Sequence, residues 1–288
     1  MDSASIAIIG GSGMYDMEGL VGVREVKPDT PFGQPSDSIV LGELDGVSVA
    51  FLPRHGRGHR LMPTEIPARA NIYALKTLGV GRIISVSAVG SLREEIRPPS
   101  DLVVPDQLID RTKGRASTFF GDGLVAHIAF AEPFCQDLSM TLVATARDVG
   151  ATVHEGGVCL VIEGPAFSTR AESFMYRSWG ASILGMTALP EAKLAREAEM
   201  CYATLACPTD YDCWYEGEES VSVELVVTNL LKNVARSKEI VRQIVPKLSQ
   251  DRVCGCSYAL KDAIITDRDA IPESTRTRLW PLLAKYLA

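Results

Sequence analysis

The stretch Arg82-Ile83-Ile84-Ser85-Val86-Ser87-Ala88-Val89-Gly90-Ser91 decides the reading of this chain. Its apolar centre, Ile83-Ile84, does not alternate with polar residues, as expected of a strand whose sheet is covered by helices on both faces. Val158-Cys159-Leu160-Val161-Ile162 has the same character. Strands are accordingly predicted at Arg82–Val86 and Val158–Glu163, and shorter valine- and isoleucine-rich runs add Ser5–Ile9, Val47–Leu52, Asp101–Val104, Ser182–Leu184 and Tyr202–Ala206. Helical periodicity covers Thr64–Leu78, Ser139–Val149, Thr169–Trp179, Pro190–Met200, Val221–Leu248 and Pro272–Tyr286. Strands separated by helical segments describe an α/β domain. In the fifth helix Leu225, Val226, Leu230, Leu231, Val234, Ile240, Val241, Ile244 and Leu248 share one stripe, which is expected to pack on the sheet or on a partner subunit.

Composition narrows the class. A formal net charge of −7 argues against a nucleic-acid surface, which needs clustered lysine and arginine. A small anionic substrate must then be held by local donors near glycine-rich turns. Apolar runs of about ten residues fall short of a bilayer, so no membrane partner is expected. The opening Met-Asp-Ser-Ala-Ser lacks a basic region before the apolar run, and the expected location is the cytoplasm. No repeat or Pro/Ser linker divides the chain, so residues 1–288 are read as one domain. Seven cysteines, an odd number, fit reduced thiols. Cys254-Gly255-Cys256 has the spacing of a strained local disulfide or a metal-ligand pair, but no second close pair or histidine cluster follows it, and no metal is expected.

The first strand runs into Gly10-Gly11-Ser12-Gly13, a turn able to offer backbone N–H groups and a hydroxyl to an anion. The second run ends in Pro53-Arg54-His55-Gly56-Arg57-Gly58-His59, which is either a solvated basic loop or an anion site. Ser87-Ala88 and Gly185-Met186-Thr187 place hydroxyl residues at strand ends, where open α/β sheets gather ligands.

Together with Thr30-Pro31-Phe32-Gly33, Gly90-Ser91-Leu92-Arg93-Glu94-Glu95, Ala131-Glu132-Pro133-Phe134, Glu163-Gly164-Pro165-Ala166-Phe167-Ser168 and Thr209-Asp210-Tyr211-Asp212-Cys213-Trp214, these blocks stand in the order found in the 5'-methylthioadenosine phosphorylases. The chain resembles that family over roughly residues 6 to 248, and the likeness fades beyond Leu248. The resemblance implies a purine nucleoside phosphorylase fold, with a central mixed β-sheet flanked by helices, assembled as a homotrimer or a dimer of trimers. It implies attack of phosphate on the anomeric carbon of 5'-methylthioadenosine, releasing adenine and 5-methylthioribose 1-phosphate. Phosphate is then a co-substrate and no cofactor is needed. Position by position, it implies phosphate binding by Ser12, Arg54, His55, Ala88 and Thr187, ribose contacts from Ser87 and Met186, and base contacts from Phe167 and Ser168. Val223, Val226 and His59 would line the 5' pocket, with His127 reaching it from a neighbouring subunit. Ser12 and Ser87 stand where many relatives have threonine, and Gly185 where some have asparagine.

Glycosidic cleavage builds positive charge on the ribose and negative charge on the departing purine, so it calls for an anion under the sugar and a donor at the base. Arg54 is expected to offer a permanently charged fork to phosphate oxygens. Asp210 and Asp212, alternate residues of an extended segment, are expected to point the same way. A 6-aminopurine presents the acceptor N7 beside the donor N6, which suits one protonated and one ionised carboxyl. Asp210 is assigned the proton for N7 and Asp212 the bond from N6. A broader purine nucleoside phosphorylase acting on adenosine, inosine or 5'-methylthioinosine, a water-using nucleosidase, and a nucleoside sensor without turnover are the competing readings.

Overall fold

In the computed structural model, residues 2–11, 14, 17–216, 222–248 and 251–287 are described. They form eleven strands: β1 (Ile6–Gly10), β2 (Val21–Val26), β3 (Ile39–Leu44), β4 (Val47–Pro53), β5 (Arg82–Ser91), β6 (Asp101–Val104), β7 (Gln107–Arg111), β8 (Thr152–Glu155), β9 (Val158–Ile162), β10 (Ala181–Gly185) and β11 (Cys201–Asp210). The helices are α1 (Ala68–Thr77), α2 (Gln136–Asp148), α3 (Arg170–Ser178), α4 (Ala188–Glu197), α5 (Val223–Ile244), α6 (Glu273–Arg278) and α7 (Trp280–Leu287). The strands join in one mixed sheet ordered β2-β3-β4-β1-β5-β10-β9-β7, with a branch from β5 through β11 and β6 to β8.

Alternation along β1 places the sheet between two cores. Ala7 and Ile9 enter a cluster with α1, α4 and α7, while Ile6 and Ile8 enter another with α2 and α5. Both faces are therefore dry, the condition that the apolar centre of β5 anticipates. A third cluster sets Tyr176 of α3 against Leu160, Leu184, Tyr211 and Trp214.

The positioning feature is a change of partner along β5. Its first residues pair with parallel β1 up to Ile9↔Ser85, whereas its last pair with antiparallel β10 at Leu184↔Gly90 and Ile183↔Ser91. On that side Val86 to Val89 lie between the two partners, at a switch point of the kind where open sheets bind ligands. The opposite edge stays paired with β11 as far as Gly90.

Several predicted boundaries move for identifiable reasons. The expected helix Pro272–Tyr286 divides into α6 and α7 at Leu279, because Pro281 has no N–H to return to the carbonyl of Thr277. Likewise α5 gives way to a 3-10 turn, Val245–Leu248, where Pro246 has none for Arg242. Helix α1 begins at Ala68, after Pro67, rather than at Thr64. Around α3, Thr169 and Glu172 form a reciprocal capping box at the predicted start. Strands β2, β3, β7 and β8 were not anticipated. On α5, Leu231 of the predicted stripe is 65% exposed, and the buried residues that precede Ile240 are Asn229, Asn233 and Ser237.

Candidate functional site

Continuing the β5–β10 register by three residues sets Thr187 opposite Ser87, and the two hydroxyl oxygens are 3.3 Å apart. Ser87 is buried, while Ala88 and Thr187 are partly open. The sheet gap thus brings together residues one hundred positions apart. Ser12, the remaining predicted hydroxyl, lies outside the described residues.

Arg54 follows β4 and reaches under this gap. Its Nη1 donates to Val86 O at 3.0 Å, and Nη2 donates to Ser85 Oγ at 2.7 Å and Ile9 O at 3.3 Å. Glu191 of α4 accepts from Nε at 2.6 Å and from Nη2 at 3.2 Å, and also accepts from Tyr202 Oη at 2.9 Å. Burial opposes the charge of Arg54, but Glu191 restores it and holds the group above the ordinary arginine range. Sequence reading gave Arg54 an open fork. Instead, among the described residues, its fork is engaged by Glu191, and these bonds leave over one Nη1 hydrogen of the guanidinium's five.

His55 is half-buried, with Nδ1 2.8 Å from Leu61 O. Facing a carbonyl, Nδ1 carries the proton, which makes Nε2 an acceptor. Burial lowers its pKa to about 4, with Arg54 and His59 adding to the effect, so the ring is neutral at pH 7. The exposed His59 stacks on it at 4.1 Å and sits at φ 52°.

Asp210 ends β11 beside a register shift between Pro208 and Asp210, a bulge that places it against Gly90. A Cβ on Gly90 would lie 3.1 Å from Asp210 Oδ1, so glycine gives the carboxylate room. Asn229 and Asn233 of α5 hold the strand end by donating to Thr209 O and Pro208 O. Asp210 accepts from Thr209 Oγ1 at 2.7 Å and from the Asp212 N–H at 2.8 Å.

Asp212 does not continue the strand alternation. It lies past the end of β11 at φ 51°, so the extended geometry expected for the pair is replaced by a turn. It is 7% exposed, and burial, reinforced by the Asp210 charge, raises its pKa from 3.8 to about 6. Asp212 is therefore a carboxyl whose charged form is disfavoured by its surroundings. Asp212 Oδ2 has no hydrogen-bond partner among the described residues, and neither does the buried Ser168 Oγ. Ser168 O accepts from Cys213 Sγ at 3.2 Å, linking the Ser168 loop to the aspartate turn. Phe167 beside it is 43% exposed.

Glu191 and Arg115 escaped sequence reading. Arg115 donates to the carbonyls of Ile162, Glu163, Met186 and Leu189, binding the segment of Met186 and Thr187 to the end of β9. One arginine on a glycine-containing loop and one glutamate within a helix carry no motif; only their burial distinguishes them. A cleft of about 370 Å³ beside Arg115 is lined by Phe32, Thr64, Arg69, Lys113 and Glu163, none of them a predicted site residue.

The expected 5'-pocket residues lie on three separate segments, the His59 turn, the His127 loop and the start of α5. Val223 is 69% exposed and Val226 half-buried at the start of α5. His127 is exposed on a loop, its N–H bonded to Ala263 O at 2.8 Å.

Residues 5–246 match the phosphorylase superfamily. The chain is similar to the S-methyl-5'-thioadenosine phosphorylase of Geobacter sulfurreducens, 59% identical with 98% of this chain and 99% of that one covered. It is also similar to the crystal structure of a methylthioadenosine phosphorylase from an Antarctic soil metagenomic library, with TM-score 0.93, 51% identity, and 98% and 100% of the two chains covered. The methylthioadenosine phosphorylase of Schistosoma mansoni in complex with adenine aligns with TM-score 0.83 and 39% identity, covering 90% of this chain and 96% of that one.

Proposed function

The chain belongs to the phosphorylase superfamily, and we propose that it cleaves 5'-methylthioadenosine with inorganic phosphate, giving adenine and 5-methylthioribose 1-phosphate. The observation that carries this reading is the Ser87–Thr187 hydroxyl pair in the sheet gap, with Asp210 at the end of β11 against Gly90, which lies three residues beyond Ser87 on β5. At about 3.3 Å per residue the separation is roughly 10 Å, room for a ribose and a purine between an anion and a carboxyl.

Phosphate is held by Ser12, the Ala88 backbone, Thr187, His55 and the remaining Nη1 hydrogen of Arg54. The depressed pKa of His55 keeps Nε2 unprotonated, so that it accepts a hydrogen bond from the O–H that a hydrogen phosphate still carries. A phosphate oxygen attacks the anomeric carbon, the carbon–nitrogen bond breaks, and its electron pair leaves with the purine. Asp210 and Asp212 hold the N7/N6 edge and share one proton when the nucleoside is bound, and that proton neutralises the leaving base at N7. Ser168 Oγ and Asp212 Oδ2 are completed by the nucleoside. Phe167 and Met186 cover base and ribose, and Val223, Val226 and His59 cover the 5' group.

The expected assembly is a homotrimer in the cytoplasm, in which the exposed His127 serves the neighbouring subunit. Exposed Val223, Val227 and Leu231 on α5 support a subunit contact. Light scattering distinguishes a trimer from a dimer of trimers.

The test follows release of adenine from 5'-methylthioadenosine and adenosine, and of hypoxanthine from 5'-methylthioinosine, with and without phosphate. Phosphate-dependent release with preference for 5'-methylthioadenosine is expected. Equal rates without phosphate would identify a nucleosidase and end the proposal, and preference for the inosine analogue would overturn the base assignment.

A further inference from the structure

Four cysteines meet away from the nucleoside site. Cys135 is the N-cap residue of α2, Cys201 opens β11, and Cys254 and Cys256 flank Gly255 at a 3-10 turn, Gly255–Tyr258. Their sulfurs all lie within 4.8 Å of one another, and Cys201 Sγ is 3.3 Å from Cys254 Sγ. Cys135, Cys201 and Cys256 are buried and Cys254 is half-buried. The sequence displays only the Cys254/Cys256 pair, because the fold supplies the second pair from two remote segments.

Four thiolates around a tetrahedral zinc ion, at about 2.3 Å from the metal, stand about 3.8 Å from each other. The observed separations bracket that spacing. Two disulfides would instead draw the sulfurs into couples at about 2.05 Å. Soft thiolates in a closed set of four select zinc over magnesium or calcium. The thiolate at Cys135 is favoured by the amino end of the thirteen-residue α2.

We propose that Cys135, Cys201, Cys254 and Cys256 bind one structural zinc ion. Four S–H bonds give four Zn–S bonds, the protons pass to solvent, and no electron is transferred. The ion ties the C-terminal segment to α2 and β11. That segment carries Ala263–Ile265, which pairs with the His127 loop through His127 N–H to Ala263 O, Ile265 N–H to Val125 O, and the Ala126–Ile264 bridge. Loss of zinc therefore loosens the loop of His127.

The test uses the full chain purified with a reductant and without a metal-affinity step. Elemental analysis is expected to find one zinc per chain, falling at least tenfold in Cys254→Ser and Cys256→Ser. Cobalt(II) added to the metal-stripped wild-type chain should give the thiolate charge-transfer and visible bands of a tetrahedral tetrathiolate, so the proposal stays testable should a variant fail to fold. Chelation should lower the Tm of the wild type but not of Cys254→Ser. Absence of zinc together with no cobalt spectrum, or an intact mass reduced by two or four hydrogens from disulfide formation, would overturn the proposal.

Discussion

The phosphate end and the base end of the site are finished differently. Around Arg54, Glu191 and Ser85 the polar groups satisfy one another beneath the sheet. Around Asp212 and Ser168, buried oxygens have no partner among the described residues. The first arrangement fixes geometry before any ligand arrives. The second leaves free energy of hydrogen bonding to be gained when a ligand binds, since an unsatisfied buried polar group costs about 1–3 kcal/mol. A phosphate site built on a fixed floor and a base site built on incomplete bonds divide positioning from recognition.

Replacement of Asp210 is the severest trial of the recognition end. Asp210→Asn is expected to lower kcat/KM by about 10²–10⁴-fold on 5'-methylthioadenosine and 5'-methylthioinosine alike, because N7 is common to both purines. A kcat/KM within about threefold of the wild type would show that Asp210 is not the acid at N7.

Glu191→Ala tests the fixed floor. It leaves Arg54 charged, buried and uncompensated, and should reduce unfolding free energy by about 3–5 kcal/mol in urea titrations. Arg54→Met combined with Glu191→Leu should be less damaging than Glu191→Ala, because no unpaired charge remains. A single-variant loss below about 1 kcal/mol would mean that the pair does not organise this region.

Asp212→Asn separates the ends by sign. The folded protein binds the Asp212 proton more tightly than the unfolded chain does, so ionisation lowers stability as pH rises from 3.8 through about 6. The substitution should therefore stabilise the protein at pH 7, by up to about 3 kcal/mol, and the gain should vanish below pH 4. Destabilisation at pH 7 would contradict the burial argument. The smallest expected effect is that of Ser168→Ala: stability unchanged or slightly improved, with KM for the nucleoside raised by less than about tenfold. A clear loss of stability would mean that the hydroxyl is already bonded in the free protein.

How much of this was legible depended on the range of the signal. The cores of β1, β4, β5 and β9 were readable from unbroken apolar runs, and α3 from Thr169 and Glu172 at capping-box spacing. The β3–β4 hairpin carried a local signal that strand reading passed over: Asp45-Gly46, with φ 50° and 80°, is a two-residue turn of the favoured kind. By contrast β2 is exposed along most of its length and lacks a clean alternation. The α5 stripe packs on the core in its second half, through Ile240, Val241 and Ile244, but amphipathicity does not say what covers the apolar residues of the first half. There the sheet-facing side needs Asn229 and Asn233 to bond carbonyls at the end of β11, so Leu231 is turned outward.

Residue order by itself determined the α/β character, the glycine and hydroxyl turns after the strands, and the set of side chains suited to an anion and a purine. These are local properties, written within a few residues of each other. Tertiary structure alone decided that Glu191 occupies the fork of Arg54, that burial raises the pKa of Asp212, and that Cys135 and Cys201 join Cys254 and Cys256. Burial and proximity set each of these outcomes, and both arise only when segments far apart in the chain are packed together.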